Sequence, residues 1–449
     1  MGTKEILNKK VSAISLGCDK NRVDLEKMLF KLKDYGLEIV ESIYDSDIVI
    51  VNTCSFILPA KQEAIENILQ VCELKKNNKI EKVIVTGCLS ERYYEDIKNS
   101  IEEVDAYLKL SENENILNVI LDLYNFKNKK LEHEYDRVLT NNGKYAYLKI
   151  ADGCSNVCSY CTIPRIRGRY KSVDMNELIK EAKLLAEKGV KELIIVAQDT
   201  TRYGEDLYNE NKLIELLTKL SKIDKIEWIR LHYAYPEKVT DELLDFINNS
   251  PKMCKYLDMP LQHIEDKILT SMRRKLNEED TRKLIRKIKE KYPDIKLRTT
   301  FIVGYPGETK KDFKKLCDFL IETKFDFAGF FPYYREENTI SYFMKNQIRK
   351  FTKNARLKKI LKIQQNIMTE NMKSILNNTF KVLIDYFDET SGNYIGHTNF
   401  LSPTVDFDVM IEDDWKVDVG DMVDVVIKDF DGKFIKGEIK KWIYQTKFQ

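Results

Sequence analysis

A chain of 449 residues is too long for one ordinary domain and, at about 150 residues each, has room for about three. Its 74 Lys and Arg against 72 Asp and Glu leave a net charge of only +2, so no chain-wide argument for nucleic acid or a membrane surface can be made. The 43% hydrophobic fraction is ample for buried cores, yet no apolar run approaches the ~20 residues of a membrane-spanning helix, and no membrane partner is expected.

The start, Met1-Gly2-Thr3-Lys4-Glu5-Ile6, has neither a secretory apolar stretch nor the Ser or Thr at position six of a myristoylation signal, so a cytoplasmic location is expected. There the nine cysteines are ligands or core thiols rather than disulfides. Over residues 1–125, three β-branched runs, Val11–Leu16, Asp47–Val51 and Lys82–Val85, alternate with the helical periodicities of Val23–Tyr35 and Pro59–Leu74. That alternation predicts a parallel α/β domain, whose strands all point one way and whose ligands gather at their carboxyl ends. Cys18, Cys54 and Cys88 each stand just past one strand, in Leu16-Gly17-Cys18, Asn52-Thr53-Cys54 and Thr86-Gly87-Cys88. The topology therefore predicts one edge carrying three thiols, with glycines that let a bulky inorganic group approach the backbone. Cysteine is also common near buried strand ends, which is the competing reading. Cys72 sits on the apolar face of a helix, and Cys254 and Cys317 have no partner at ligand spacing, so all three are expected in cores. The charged stretch around residues 126–140, with a solvated His133, reads as a linker.

Residues 141–371 open with the strand-like Tyr145–Ile150, followed by Asp152-Gly153-Cys154-Ser155-Asn156-Val157-Cys158-Ser159-Tyr160-Cys161. Thiolates hold iron-sulfur clusters, and a four-iron cube needs four ligands where this loop offers three. The fourth iron would keep an open position for a small molecule, as catalytic metal sites do. A structural zinc site or unrelated buried thiols are the alternatives. Five further strands are predicted at Glu192–Val196, Trp228–Leu231, Tyr256–Met259, Leu297–Val303 and Phe327–Phe331, separated by amphipathic helices such as Met175–Lys188 and Glu278–Lys291. Right-handed crossovers make these a six-stranded partial (β/α)6 barrel with function at the carboxyl ends. There stand Gln198, Asp199, Thr200, His232, Tyr233, Gln262 and His263; the two histidines are acid-base groups or, by preference, satisfied hydrogen-bonding residues. Ile302-Val303-Gly304-Tyr305-Pro306-Gly307-Glu308 is a tight turn whose backbone can lie along a flat ligand. The basic run Arg165–Lys171 is either a solvated strand or an anion site. Lys350–Leu376 reads as a helix closing the barrel.

From residue 372 to 442 short strands replace helices, at Lys381–Ile384, Tyr394–Gly396, Asp408–Ile411, Met422–Ile427 and Phe434–Ile439, and predict a small five-stranded barrel. Between Lys373 and Lys440 there are 14 Asp or Glu against 7 Lys and no Arg, a net of −7 that opposes phosphate binding and suits a basic protein partner.

The C-x3-C-x2-C loop, with Tyr160 before its last cysteine, resembles the radical S-adenosylmethionine enzymes. The resemblance implies that the open iron is chelated by the amino and carboxylate groups of S-adenosylmethionine, whose reductive cleavage yields a 5'-deoxyadenosyl radical. It makes Tyr160, Gln198, Gly304, Pro306 and Gly307 the expected cofactor-binding residues and assigns no catalytic acid or base. Together with the strand-end cysteines and a terminal TRAM-like barrel, nearly the whole chain resembles the methylthiotransferases. The stretches Ser15–Asp24, Tyr256–His263 and Thr299–Thr309 are similar to the ribosomal branch, which modifies the β-carbon of an aspartate in small-subunit ribosomal protein twelve. Leu25 stands where that branch usually has Ser, Ser55 where Gly is usual, and no Arg follows Ser172. The resemblance implies two 4Fe-4S clusters, on Cys18, Cys54 and Cys88 and on Cys154, Cys158 and Cys161, and an external electron donor. A tRNA adenosine methylthiotransferase and a non-catalytic zinc or RNA-binding protein are the alternatives. Direct nucleic-acid binding is not expected.

Overall fold

The computed structural model describes residues 8–126, 136–141, 143–412 and 417–440; His133 and most of the expected linker lie outside them. The three β-branched runs become strands β1 (Lys10–Ser15), β3 (Ile48–Thr53) and β4 (Lys82–Gly87). Two edge strands of two residues each, β2 (Glu38–Ile39) and β5 (Ala106–Tyr107), complete a parallel sheet in the order β2-β1-β3-β4-β5. All six residues of β3 are buried, as a central strand covered by helices on both faces requires. Helix α1 (Asp19–Tyr35) follows β1 and stops at Gly36, whose left-handed φ of 110° lets its N–H return to the Leu32 and Lys33 carbonyls.

The middle of the chain forms a six-stranded parallel sheet of β6 (Tyr145–Lys149), β9 (Glu192–Val196), β10 (Trp228–Leu231), β11 (Met253–Asp258), β12 (Lys296–Val303) and β13 (Phe327–Pro332), in the order β13-β12-β11-β10-β9-β6. A ribbon of β7 (Ala151–Asp152) and β8 (Lys171–Ser172) ties the two ends of the cysteine loop together. Part of the basic run is thus strand and part is the short helix Ile163–Ile166, and Arg167 between them is only 1% exposed rather than solvated. The last strands, β14 (Thr379–Asp388), β15 (Asn393–Thr398), β16 (Asp408–Ile411), β17 (Met422–Phe430) and β18 (Phe434–Ile439), close into a barrel. No described helix is long and apolar enough to cross a membrane.

The small barrel is joined to the middle domain by a shared core and a buried ionic cluster. Trp228, Cys254, Tyr256 and Phe327 pack in one apolar cluster with Val382, Ile384, Leu401 and Val425. Beside it, Arg230 Nε donates to Glu192 Oε1 at 2.7 Å, and Arg230 Nη2 donates to the Thr398 carbonyl at 3.0 Å. His397 of β15 lies between Glu192 and Asp385, with both ring nitrogens paired to carboxylates. Asp385 and Asp406, two of the 14 acids between Lys373 and Lys440, therefore face inward, and the acidic excess on the surface is smaller than the count implies.

Burial opposes charge on His397, but Asp385 and Glu192 outweigh it and raise the imidazolium to about 9. Burial likewise opposes charge on Glu192, which Arg230 and His397 pull down to about 2. The histidine's contribution is complete below its ordinary 6.5 and disappears as pH rises through 9, whereas the glutamate's is complete above 4.5 and disappears as pH falls towards 2. Thermal unfolding followed from pH 6 to 9.5 should show the small barrel losing on the order of 3 kcal/mol of stabilisation over the whole of that range. His397→Gln should be less stable at pH 6 and should lack that alkaline decline; an unchanged decline assigns it to another group.

Candidate active site

The carboxyl ends of β1, β3 and β4 are level, with Ser15 paired to Asn52 and Asn52 to Thr86. Cys18 is the residue before α1, Cys54 follows β3, and Cys88 follows Gly87 of β4. The structure thus brings the three strand-end thiols to one edge of adjacent strands. Gly17 has a φ of 90°, and a Cβ there would stand 2.6 Å from Cys54 Cβ and 2.8 Å from its Sγ, so the Cys54 side chain lies directly on the Cys18 loop. Asn21 fastens the two loops together. Its Nδ2 donates to the Leu16 and Thr53 carbonyls at 2.8 and 3.1 Å, and its own carbonyl accepts from Asn52 Nδ2 at 2.7 Å. Ser55 Oγ donates to the Cys88 carbonyl at 2.8 Å, adding a tie to the third loop, and Leu25 is buried in the first-domain core. Burial raises the Cys54 thiol and pushes Cys88 up to about 12. These are dry thiols that must lose protons to ligate metal.

Cys154, Cys158 and Cys161 share the loop between β7 and β8. Gly153 starts it at φ 70°, where a Cβ would meet the Arg169 carbonyl at 2.2 Å. Ser159 N–H donates to the Met272 carbonyl at 3.1 Å, and Ser159 Oγ lies 2.7 Å from both the Ser271 carbonyl and the Tyr305 hydroxyl. Arg274 Nη1 is 3.9 Å from Cys158 Sγ and its guanidinium stacks 4.5 Å from the Tyr235 ring. Burial raises Cys154 to about 11 and Cys161 further. Among the described residues no three His, Cys, Asp or Glu side chains are placed to hold a single metal ion. As a donor type, the thiolate is the ligand that holds iron-sulfur clusters.

Of the expected cofactor residues, Tyr160 packs with Ile268, Met272, Tyr305 and Tyr333 beside Cys158. Gln198 Nε2 donates to Asp152 Oδ1 at 3.2 Å, while its Oε1 is buried without a partner among the described residues. Gly304 has a φ of 74° and donates to Glu308 Oε2 at 2.7 Å; a Cβ there would stand 2.5 Å from Lys353 Cγ. Pro306 follows, and Gly307, at φ 84°, donates to the Asn346 carbonyl at 2.8 Å. His263 is fully buried. Its Nδ1 accepts from Glu265 N–H at 3.0 Å, and its Nε2 lies 3.7 Å from Glu308 Oε2. His232 Nε2 is 2.9 Å from Ser402 Oγ, and burial lowers its pKa to about 4, so the ring is neutral near pH 7.

Three features were not read from the sequence. Arg167 Nη1 meets Asp24 Oδ2 at 3.0 Å and Asp152 Oδ2 at 2.9 Å, its Nη2 donates to Asn21 Oδ1 at 3.2 Å, and it lies near the Cys88 and Cys18 thiols. Lys149 bridges the same two aspartates. Arg137, 1% exposed, lies 3.5 Å from Glu26 of α1 and 3.1 Å from Glu181 of the middle domain. A cavity of about 380 Å³ opens where the three domains meet, with Cys18, Arg22, His232, Tyr233, Arg298 and Thr404 in its walls. An Asp one helical turn beyond Asn21 is the only trace of the first feature in the sequence.

Residues 148–320 match the Radical SAM superfamily, residues 10–109 the Uncharacterized protein family UPF0004, and residues 378–439 the TRAM domain. Among solved structures, the radical S-adenosylmethionine methyltransferase TsrM from Kitasatospora setae aligns with a TM-score of 0.53 at 14% identity, over 72% of this chain and 73% of that one, a likeness of fold. The ribosomal protein uS12 methylthiotransferase RimO of Alkaliphilus oremlandii is 45% identical over 409 residues, 90% of this chain and 93% of that protein. Its namesake in Acetivibrio thermocellus is 43% identical over 448 residues, 96% of this chain and 99% of that protein. At that identity over that length, the chain belongs to the family of the ribosomal protein uS12 methylthiotransferases within the radical SAM superfamily.

Proposed function

We propose that this chain adds a methylthio group to the β-carbon of an aspartate in ribosomal protein uS12, using S-adenosylmethionine, two 4Fe-4S clusters and an external electron donor, in the cytoplasm. The observation that carries the reading is the pair of three-thiol sets tied through Arg167 and Asp24, one at a strand-end cradle and one in the C-x3-C-x2-C loop. Cys154, Cys158 and Cys161 would hold a cluster that, when bound, would pass the donor's electron to S-adenosylmethionine, and Cys18, Cys54 and Cys88 would hold one that would carry the sulfur. The protein's part is orientation. The unpartnered Gln198 Oε1 offers an acceptor to the ammonium of the methionine moiety, and the left-handed Gly304 and Gly307 keep side chains away from a flat adenosyl group. Neutral His232 cannot donate a charge to the cavity near pH 7, so the cations there are Arg22 and Arg298. Exposed acids on the small barrel, Glu412, Asp421, Asp429 and Glu438 among them, suit a basic ribosomal protein and disfavour tRNA; Asp413 and Asp414 lie outside the described residues.

Mass spectrometry of uS12 from cells with and without this gene tests the reading directly: the methylthio mass increment should appear only with the gene, and its absence, or a modified tRNA adenosine in its place, refutes it. Converting Cys154, Cys158 and Cys161 together to Ala should leave about half of the reconstituted iron and abolish S-adenosylmethionine cleavage; loss of all the iron or of none refutes two independent sites. Cys18→Ala should retain cleavage but form no methylthio product.

A further inference from the structure

The three-domain cavity holds two guanidiniums of different character. Arg298, on β12 with its side chain 20% exposed, is gripped on two edges: Nη1 donates to Asp258 Oδ1 at 2.9 Å, and Nε lies 3.5 Å from Asp406 Oδ1. Its Nη2 has no hydrogen-bond partner among the described residues. Arg22, in the first turn of α1, has no ion-pair partner among the described residues; its side chain hydrogen-bonds to that of Tyr145 and its guanidinium lies 5.8 Å from the centre of the Tyr147 ring. Asp258 also accepts the Tyr233 N–H at 3.3 Å and so holds a residue with a φ of 56° in the cavity wall. Across the cavity Thr404, at φ 64°, bonds to the Tyr147 hydroxyl at 3.1 Å. Left-handed backbone at non-glycine residues is strained and persists where the surroundings over-determine it, which is typical of ligand sites. Cys18 in the same wall brings the first-domain thiols to the cavity edge.

We propose that this cavity is the substrate side-chain site and that it selects a carboxylate: Arg298, with its plane fixed by Asp258 and Asp406, presents Nη2 to the substrate carboxylate, and Arg22 supplies the second cation. A fixed fork suits a carboxylate better than a mobile ammonium, because less side-chain freedom is lost on binding. The inference rests on the proposed function for the identity of the substrate and goes beyond it in naming the residues that read the target side chain.

The test measures binding of two peptides to the cluster-reconstituted full chain with S-adenosylmethionine bound. One peptide spans the target aspartate of uS12 and the other has Asn in its place. A charge-assisted hydrogen bond implies that wild type should favour the Asp peptide by roughly 10- to 100-fold. Arg298→Gln should reduce that preference to about two-fold or less, Arg298→Lys should restore part of it, and Arg22→Gln should lower affinity for the Asp peptide more than for the Asn peptide. Circular dichroism and iron content establish that each variant is folded and loaded, and Arg22→Gln, at a half-buried helix position, serves if Arg298→Gln does not fold. Equal binding of both peptides by wild type, or undiminished preference in the folded variants of both arginines, overturns the inference. Failure of the proposed function itself is separately visible, because wild type would then leave the Asp peptide unmodified in turnover.

Discussion

One guanidinium holds the chemistry of this molecule in place. Arg167 is all but removed from water and shared between Asp24 of the first domain and Asp152 of the second, with Asn21 completing its fork. A buried charge is tolerated only when it is closely paired, and breaking such a pair from one side is far more damaging than never having had it. The arrangement makes the relative placement of the two cysteine sets a near-rigid property. Asn21 belongs both to this node and to the stitching of the Cys18 and Cys54 loops, so a movement of the middle domain would be felt at the first-domain cradle. Arg137 between Glu26 and Glu181, and Glu336 with Lys61 and Arg92, add further buried clamps between the same two domains.

The third domain is attached on a different physical basis. Here apolar packing around Trp228 and Tyr256 supplies area, and the Glu192, Arg230, His397 and Asp385 cluster supplies register. Hydrophobic contact alone is non-directional, whereas four charged groups satisfied in one geometry admit few alternatives. That register brings Thr404 and Asp406 to the rim of the cavity and so makes a small β-barrel part of a site otherwise built by α/β domains.

Much of the fold was legible because it is written in local pattern. Runs such as Ile48-Val49-Ile50-Val51 and Leu193-Ile194-Ile195-Val196 announce buried parallel strands through unbroken β-branched and aliphatic residues, and the three strand-end cysteines follow once the sheet is recognised as parallel. The two-residue edge strands β2 and β5 carry too little pattern to be seen. The basic run misled in a different way. Arg167 looks like its neighbours Arg165 and Arg169, which are exposed, and only the approach of Asp24, 143 residues away, marks it out. Asp385 and Asp406 contribute to the net charge of −7 although both face inward, because net charge is additive along a chain whereas burial depends on contacts with residues far away in sequence.

The shared cavity also bears on how such a protein can be recombined. Its strained residues, Tyr233 and Thr404, come from different domains, and each leans on a partner from another part of the chain, Asp258 for one and Tyr147 for the other. A chimaera that borrowed a small barrel from a distant relative would keep a closed five-stranded unit, yet would forfeit the site unless the graft also carried equivalents of His397, Asp406 and Thr404. In this architecture the natural unit of exchange is the seam between the domains rather than the domain itself.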